Sequence, residues 1–78
     1  MKKIAIPEVA MGDEEVDVIE WKVKEGDSVK KGDALVQIES EKVNVDIESE
    51  CDGVLAKIIQ KEGDVVKVGQ IIGEIEEA

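Results

Sequence analysis

Histidine is absent from this 78-residue sequence, and cysteine and the aromatic residues occur once each, as Cys51 and Trp21. Without histidine the chain lacks the commonest general base and the commonest ligand of transition metals. A single cysteine can form neither an internal disulfide nor a CxxC zinc site, and this usage suits a reducing compartment. No nucleophile–base pair, metal constellation or phosphate loop remains, so we predict no catalytic residue and no metal site.

Positive charge is also scarce, because 10 lysines and arginines face 20 acidic residues, for a formal net charge of −10. Such a surface repels nucleic-acid phosphates and anionic lipids and favours partners with basic patches. Residues 1–3 resemble the start of a signal peptide, but Pro7 and Gly12 interrupt any apolar run. We therefore predict a cytoplasmic chain that binds neither nucleic acid nor membrane.

The length predicts one domain over residues 1–78, and its many Val and Ile residues favour strands. Apolar alternation or short apolar runs mark six segments, at residues 3–7, 15–23, 34–40, 43–49, 54–60 and 71–76. Shorter extended pieces are expected around Val29 and Val66. A change in apolar phase between Val18 and Ile19 predicts a bulge there.

The sequence repeats itself, since residues 21–39 and 58–76 align without a gap. The same offset, extended backward, pairs Val18 with Leu55 and Ile6 with Val43. Two repeats are too few for a solenoid, whereas two similar halves fit a pseudo-twofold axis. The predicted fold is all-β: a flattened β-barrel or sandwich of two four-stranded antiparallel sheets with internal pseudo-twofold symmetry.

The middle of the chain predicts a β-hairpin with Lys42 at its tip. A two-residue loop at Glu41-Lys42 directs the apolar residues of both strands to the core, whereas a shift by one residue would expose one row. The predicted cross-strand pairs are Ser40 with Val43, Ile38 with Val45, and Val36 with Ile47. The outward row is then Gln37, Glu39, Asn44 and Asp46.

These motifs resemble the lipoyl domains of the dihydrolipoyl acyltransferase components of 2-oxo acid dehydrogenase complexes. The resemblance covers nearly the whole chain, through Ile19-Glu20-Trp21, Val23-Lys24-Glu25-Gly26-Asp27, Gly32-Asp33, Asp52-Gly53-Val54, Gly63-Asp64 and Val68-Gly69. The family's attachment motif is commonly Glu-Thr-Asp-Lys-Ala, and here Glu39-Ser40-Glu41-Lys42-Val43 corresponds to it. Two departures are Glu41, where Asp is usual, and Cys51, where a small residue or Pro is frequent.

The resemblance implies that lipoic acid is linked to Lys42 through an amide and shuttles acyl groups and electrons as a swinging arm. It implies recognition of the tip through Glu39, Ser40, Glu41 and Val43. The implied partners are a lipoate-attaching enzyme, a thiamine-dependent 2-oxo acid decarboxylase, an acyltransferase core and dihydrolipoamide dehydrogenase, with the isolated domain monomeric. In this interpretation the domain is a carrier, and its parent chain would be the acyltransferase. Since Glu41 corresponds to Ala78 in the repeat, we expect the termini at the end opposite Lys42.

Other functions remain open. A biotin carrier domain has the same architecture, but it normally has Met on both sides of its lysine, where this chain has Glu41 and Val43. The carrier protein of glycine cleavage is typically longer. An unmodified lipoyl-like adaptor is a third possibility, although such modules commonly contain a long helical hairpin.

Three further features suggest structural roles rather than sites. Asp13-Glu14-Glu15 lacks the spacing of a cation-binding loop and is interpreted as a solvated segment. Cys51 lies between two acids, which disfavour the thiolate, so we expect an inert thiol. Trp21 continues a strand pattern and is expected to anchor the core.

Overall fold

All regular structure in the described residues is β-strand. The structure is a computed structural model that describes residues 1–7, 15–40 and 43–78. Its eight strands are β1 (Lys2–Ala5), β2 (Glu15–Trp21), β3 (Ser28–Val29), β4 (Ala34–Glu39), β5 (Asn44–Glu48), β6 (Gly53–Ile58), β7 (Val65–Lys67) and β8 (Ile71–Glu77). Six of them match the predicted segments to within two residues at either end, and β3 and β7 are the short pieces expected around Val29 and Val66.

The strands form two four-stranded antiparallel sheets. One has the order β1-β8-β6-β3, and the other has the order β5-β4-β2-β7. The predicted fold class is thus confirmed. No helix that could span a lipid bilayer occurs in the described parts of the chain.

Aliphatic side chains fill the space between the sheets. Both sheets contribute to this core, which consists of Ile4, Ile6, Val16, Val18, Val29, Leu35, Val36, Ile38, Ile47, Leu55, Val66, Ile72 and Ile75. Trp21 is half-buried and packs against this cluster, as expected. With 13 aliphatic residues and no buried aromatic ring in the cluster, shape complementarity among Val, Ile and Leu provides the packing.

Two β-bulges set which residues face the core. The register of β2 against β4 shifts between Val18 and Glu20, which confirms the predicted bulge and leaves Ile19 41% exposed. A second shift, between Ala34 and Val36 of β4, was not expected. It buries both Leu35 and Val36, because a bulge allows two successive side chains to point to the same face.

Backbone hydrogen bonds repeat in the two halves. Gly26 N donates to Leu55 O over 2.8 Å, and Gly63 N donates to Val18 O over the same distance. These reciprocal bonds confirm that Val18 and Leu55 are equivalent.

The predicted equivalence of Ile6 and Val43 is wrong. Ile6 N donates to Gln70 O, as Ser49 N donates to Asp33 O, so Ile6 occupies the position of Ser49. The reason is a difference in connectivity. β5 follows its partner β4 directly in the sequence, whereas its counterpart β1 is the first strand and pairs with β8, the last. The sequence offset therefore does not extend to the first strand.

The termini lie at the end of the sandwich opposite the β4–β5 turn. β4 ends beside this turn, and its last residue, Glu39, lies opposite Asp17 near the start of β2. Lys67 at the end of β7 lies opposite Glu15, so β7 also ends at the turn end of the sandwich. The chain then turns at Gly69 and runs back along β8 to Ala78. The expectation that the termini point away from this turn is therefore met.

Candidate functional site

The predicted pairing of β4 with β5 is correct in every pair. Ile38 lies opposite Val45 and Val36 opposite Ile47, and the ladder continues to Glu39 opposite Asn44. Ser40 N donates to Val43 O over 2.8 Å, which makes Ser40 and Val43 the last bonded pair before the turn. Glu41 and Lys42 connect this pair and lie outside the described residues, so the tip position of Lys42 stays a prediction.

Ser40 fixes the base of this turn through its side chain. Its Oγ donates to Val43 O over 3.1 Å and accepts a hydrogen bond from Val43 N over 3.2 Å. Ser40 is only 8% exposed, and Val43 is half-buried. Because the hydroxyl satisfies backbone groups on the facing strand, Ser40 acts in the turn itself and offers little surface to a partner.

The solvent face beside the turn is acidic. Glu39 is exposed, and its cross-strand neighbour Asp17 is exposed too. Within residues 1–7, 15–40 and 43–78, ion pairs join only Lys2 to Glu50 and Lys22 to Glu20. The Asp17 and Glu39 carboxylates therefore have no described cation within pairing distance, so their negative potential extends into solvent.

Sequence reasoning identified Glu39 but missed Asp17. It also missed Val65 of β7, which lies opposite Asp17 and is 59% exposed. A shallow groove beside the turn is lined by Glu15, Val16, Asp17, Glu39, Ser40, Val43, Asn44 and Val65. No local motif signals this grouping, because it depends on how β2 pairs with both β4 and β7.

Of the other residues considered from the sequence, Asp46, Cys51 and Trp21 lie outside the groove beside the turn. Asp46 is exposed on β5, Cys51 is a half-buried free thiol, and the Trp21 indole donates to Gln60 O over 2.7 Å. Of Asp13-Glu14-Glu15, only Glu15 is among the described residues. Across the described ranges, no three His, Cys, Asp or Glu residues are grouped so that they could hold a metal ion.

A protein-family model described as "Biotin-requiring enzyme", of the biotin and lipoyl group, matches residues 2–75. The chain belongs to the biotin/lipoyl family. Within the family it is similar to the solution structure of the lipoyl domain of the 2-oxoglutarate dehydrogenase complex from Azotobacter vinelandii. The two share 34% sequence identity and a TM-score of 0.81, over 99% of this chain and 98% of that one. This likeness confirms the prediction of a lipoyl carrier domain.

Curated relatives agree with this assignment. The succinyltransferase component of the 2-oxoglutarate dehydrogenase complex from Staphylococcus saprophyticus is 44% identical over 77 residues. The acetyltransferase component of the pyruvate dehydrogenase complex from Acholeplasma laidlawii is 38% identical over 77 residues. Each match covers 99% of this chain, which spans only 18% and 14% of the length of these two relatives, respectively.

Proposed function

We propose that Lys42 carries lipoic acid, linked through an amide to its Nζ, and that the domain presents this group to the enzymes of a 2-oxo acid dehydrogenase complex. The observation that carries the proposal is the closed base of the β4–β5 turn. Ser40 and Val43 are joined by a backbone and two side-chain hydrogen bonds, and Lys42 follows within two residues of Ser40. A lysine so close to a bonded strand pair is well suited to hold a long arm at a defined point.

The chemistry of Lys42 fits the group. Its primary amine forms an amide with the lipoate carboxyl once that carboxyl is activated, and the dithiolane of the bound group then supplies acyl transfer and two-electron redox chemistry. None of this requires a base, metal or cavity from the domain. The residues of the domain contribute a rigid base, through Ser40 and Val43, and an acidic surface, through Glu39.

The position of the termini supports the carrier role. Ala78 is at the end of the sandwich opposite the turn, and the molecule is 34 Å long in its largest dimension. A parent chain attached at that end would leave the attachment end accessible. Such a tether raises the effective concentration of the arm at each active site of the complex.

The partners follow from the relatives' names and from the chemistry. The named complexes oxidise either 2-oxoglutarate or pyruvate, so the proposal is made for 2-oxo acid dehydrogenase complexes as a class. The arm would be charged by a lipoate-attaching enzyme and loaded by a thiamine-dependent decarboxylase. It would then be unloaded at the acyltransferase core and reoxidised by dihydrolipoamide dehydrogenase. We place this cycle in the cytoplasm and treat residues 1–78 as one domain.

Enzymatic lipoylation tests the proposal directly. The domain is incubated with a lipoate-attaching enzyme, lipoate and ATP, and the product is analysed by intact mass and peptide mapping. We expect one lipoyl group on the Lys42 peptide, none in Lys42→Arg, and normal modification in Lys61→Arg, which alters a lysine of the turn that follows β6.

Two results would overturn the proposal. One is modification of another lysine. The other is no modification while an established lipoyl domain is modified in parallel. If a biotin-attaching enzyme modified Lys42 instead, the domain would be a biotin carrier. Failure of both enzymes would favour the unmodified adaptor.

A further inference from the structure

Lys67 is the only lysine within the four strands of the second sheet, all of which belong to the described residues. It is the last residue of β7 and is exposed, as is Val65 two positions earlier, whereas Val66 between them is buried. The side chain of Lys67 therefore points to solvent from the outer face of this sheet. Lys67 lies opposite Glu15, at the end of the sandwich where the β4–β5 turn is found.

Only two strand spacings separate β7 from the strand that leads into the β4–β5 turn. Glu39 ends β4 and lies opposite Asp17 of β2, which in turn lies opposite Val65 of β7. Neighbouring strands are about 4.8 Å apart, so β7 is about 10 Å from β4. A lysyl-lipoyl arm has about 14 bonds of about 1.5 Å between the lysine Cα and its outer sulfur, and it extends over more than about 15 Å. An arm that begins at Lys42, three residues after Glu39, is therefore long enough to reach Lys67.

The groove beside the turn connects these two places. On one side it is lined by Ser40 and Val43, which form the base of the turn, and on the other by Val65 and by Glu15, the residue opposite Lys67. The groove gives an arm attached at the turn an open path over the outer face of the sheet to Lys67.

We infer that Lys67 Nζ is an acceptor for the acyl group carried by the arm of the same molecule. This inference rests on the proposed function, in which the reduced arm carries an acyl group as a thioester. The uncharged amine of Lys67 attacks the thioester carbonyl, so that the C–N bond of an amide forms and the C–S bond breaks. The amine loses a proton to solvent, the departing thiolate takes one up, and nothing is oxidised or reduced. The products are an N-acylated Lys67 and an arm in its dithiol form.

Tethering favours this transfer. An acceptor on the same domain meets the thioester at the high effective concentration of an intramolecular reaction. The amide product is more stable than the thioester, so the transfer runs in one direction. It competes with delivery of the acyl group to coenzyme A and therefore gains importance when that acceptor is scarce. Lys67 then empties a loaded arm and loses its positive charge.

The other half of the molecule supplies a matched lysine. Lys30 directly follows β3, and its backbone N donates to the Asp33 side chain over 2.9 Å. Lys67 ends β7, and its backbone N donates to the Gln70 side chain over 3.0 Å. Both lysines are exposed. Asp33 O accepts a hydrogen bond from Ser49 N, just beyond the end of β5, so Lys30 lies at the end of the sandwich opposite the β4–β5 turn.

The test follows the acyl group on the lipoylated domain. Wild type, Lys67→Arg and Lys30→Arg are lipoylated, checked by mass, and loaded by the 2-oxoglutarate or pyruvate decarboxylase component, whichever loads the wild type, without coenzyme A. After the decarboxylase is removed, each domain is incubated at mildly alkaline pH, where more of the lysine amines are uncharged. Hydroxylamine cleaves thioesters and leaves amides intact. The mass after hydroxylamine treatment therefore reports the transferred acyl groups, and peptide mapping locates them.

We expect a hydroxylamine-resistant acyl group on the Lys67 peptide of the wild type, with one new free thiol for each group transferred. The rate constant should not change with domain concentration, because donor and acceptor share one chain. Lys67→Arg keeps the positive charge but removes the nucleophile, and it should lower the rate by about tenfold or more. Lys30→Arg should transfer at the wild-type rate.

Three results would overturn the inference and leave the proposed function intact. The first is loss of the acyl group by hydrolysis alone, at the same rate in wild type and Lys67→Arg. The second is an even distribution of amides over the lysines of the domain. The third is a rate that rises in proportion to domain concentration, which would show transfer between molecules. Absence of lipoylation or of loading in the wild type would overturn the proposed function as well.

Discussion

The indole nitrogen of Trp21 donates a hydrogen bond of 2.7 Å to the backbone carbonyl of Gln60, which links the end of β2 to the turn that follows β6. An ideal Cβ built on Gly73 would lie 3.0 Å from the edge of the same indole ring. The only aromatic residue of the chain thus packs against Gly73 of β8 and also donates a hydrogen bond to the Gln60 carbonyl.

Replacing Trp21 with Phe should therefore cost about 2 kcal/mol of unfolding free energy, part from the orphaned Gln60 carbonyl and part from lost packing. Urea unfolding followed by far-ultraviolet circular dichroism measures this, since the substitution removes the fluorescent reporter. Lys22→Gln, one residue away and exposed, should change stability by less than about 0.5 kcal/mol. A Trp21→Phe domain as stable as Lys22→Gln would contradict the assigned role.

Gly53 and Gly26 are needed for different reasons, and substitution by Ala separates them. A Cβ on Gly53 would collide with the backbone carbonyl of Glu76, whereas a Cβ on Gly26 would meet no atom within 4 Å. Gly26 instead has a φ of 94°, which disfavours any other residue. We expect Gly26→Ala to cost about 1 kcal/mol and Gly53→Ala to cost about 3 kcal/mol or to prevent folding. Chemical denaturation of both variants tests the order, and a reversed order would refute it.

The β4–β5 register was predictable because it depends on local alternation alone. Ile38 and Val45 share the core face in only one pairing, so sequence and structure agree. The pairing of Asp17 with Glu39 was not predictable, although the bulge in β2 was, because it depends on which strands β2 pairs with. That pairing joins segments far apart in the sequence and is set by tertiary packing, so no short sequence signal encodes it. Packing also explains the unexpected bulge in β4, which buries Leu35.

The same limit applies to the sequence repeat. Its offset correctly related Val18 to Leu55, since both lie within the aligned halves and make reciprocal bonds. It failed for Ile6, because β1 reaches its position by pairing with the last strand rather than through a turn. The attachment motif itself is local, so the resemblance could identify Lys42, whereas the groove beside the turn combines residues from four strands.

The ion pair between Lys2 and Glu50 predicts a change in stability confined to alkaline pH. The Lys2 Nζ lies 3.0 Å from a Glu50 oxygen, and this hydrogen bond, followed by the charge of Glu50, raises the pKa of Lys2 above its ordinary value. A raised folded-state pKa means that the contribution is fully present below the unfolded pKa of 10.5 and is lost as pH rises through the folded pKa. Both side chains are exposed, so the contribution is small.

Unfolding of wild type and Glu50→Gln between pH 7 and pH 11.5 should give a constant small difference up to about pH 10 that vanishes above it. Glu76→Gln serves as a control of equal charge change, because Glu76 is exposed and has no ion pair in the described residues. A difference that instead grew with rising pH would show that the pair does not act through the Lys2 ammonium.

Ser40 offers a way to separate the rigidity of the turn from recognition by partners. Its hydroxyl makes two hydrogen bonds to the Val43 backbone while the residue itself is buried, so Ser40→Ala should cost about 1 kcal/mol. Ser40→Thr retains the hydroxyl and should restore most of this stability, whereas Ser28→Ala, an exposed change in β3, should have little effect.

Because a looser turn holds Lys42 less well, we expect the rate of lipoylation to fall several-fold in Ser40→Ala and to recover in Ser40→Thr. Unfolding free energies and initial rates of lipoyl incorporation are measured on the same preparations. If the Ala variant lost stability but kept its lipoylation rate, the attaching enzyme would be insensitive to the hydrogen-bonded base of the turn. If Thr restored stability but not the rate, the enzyme would contact the side chain at position 40 directly, and Ser40 would regain the recognition role that its burial argues against.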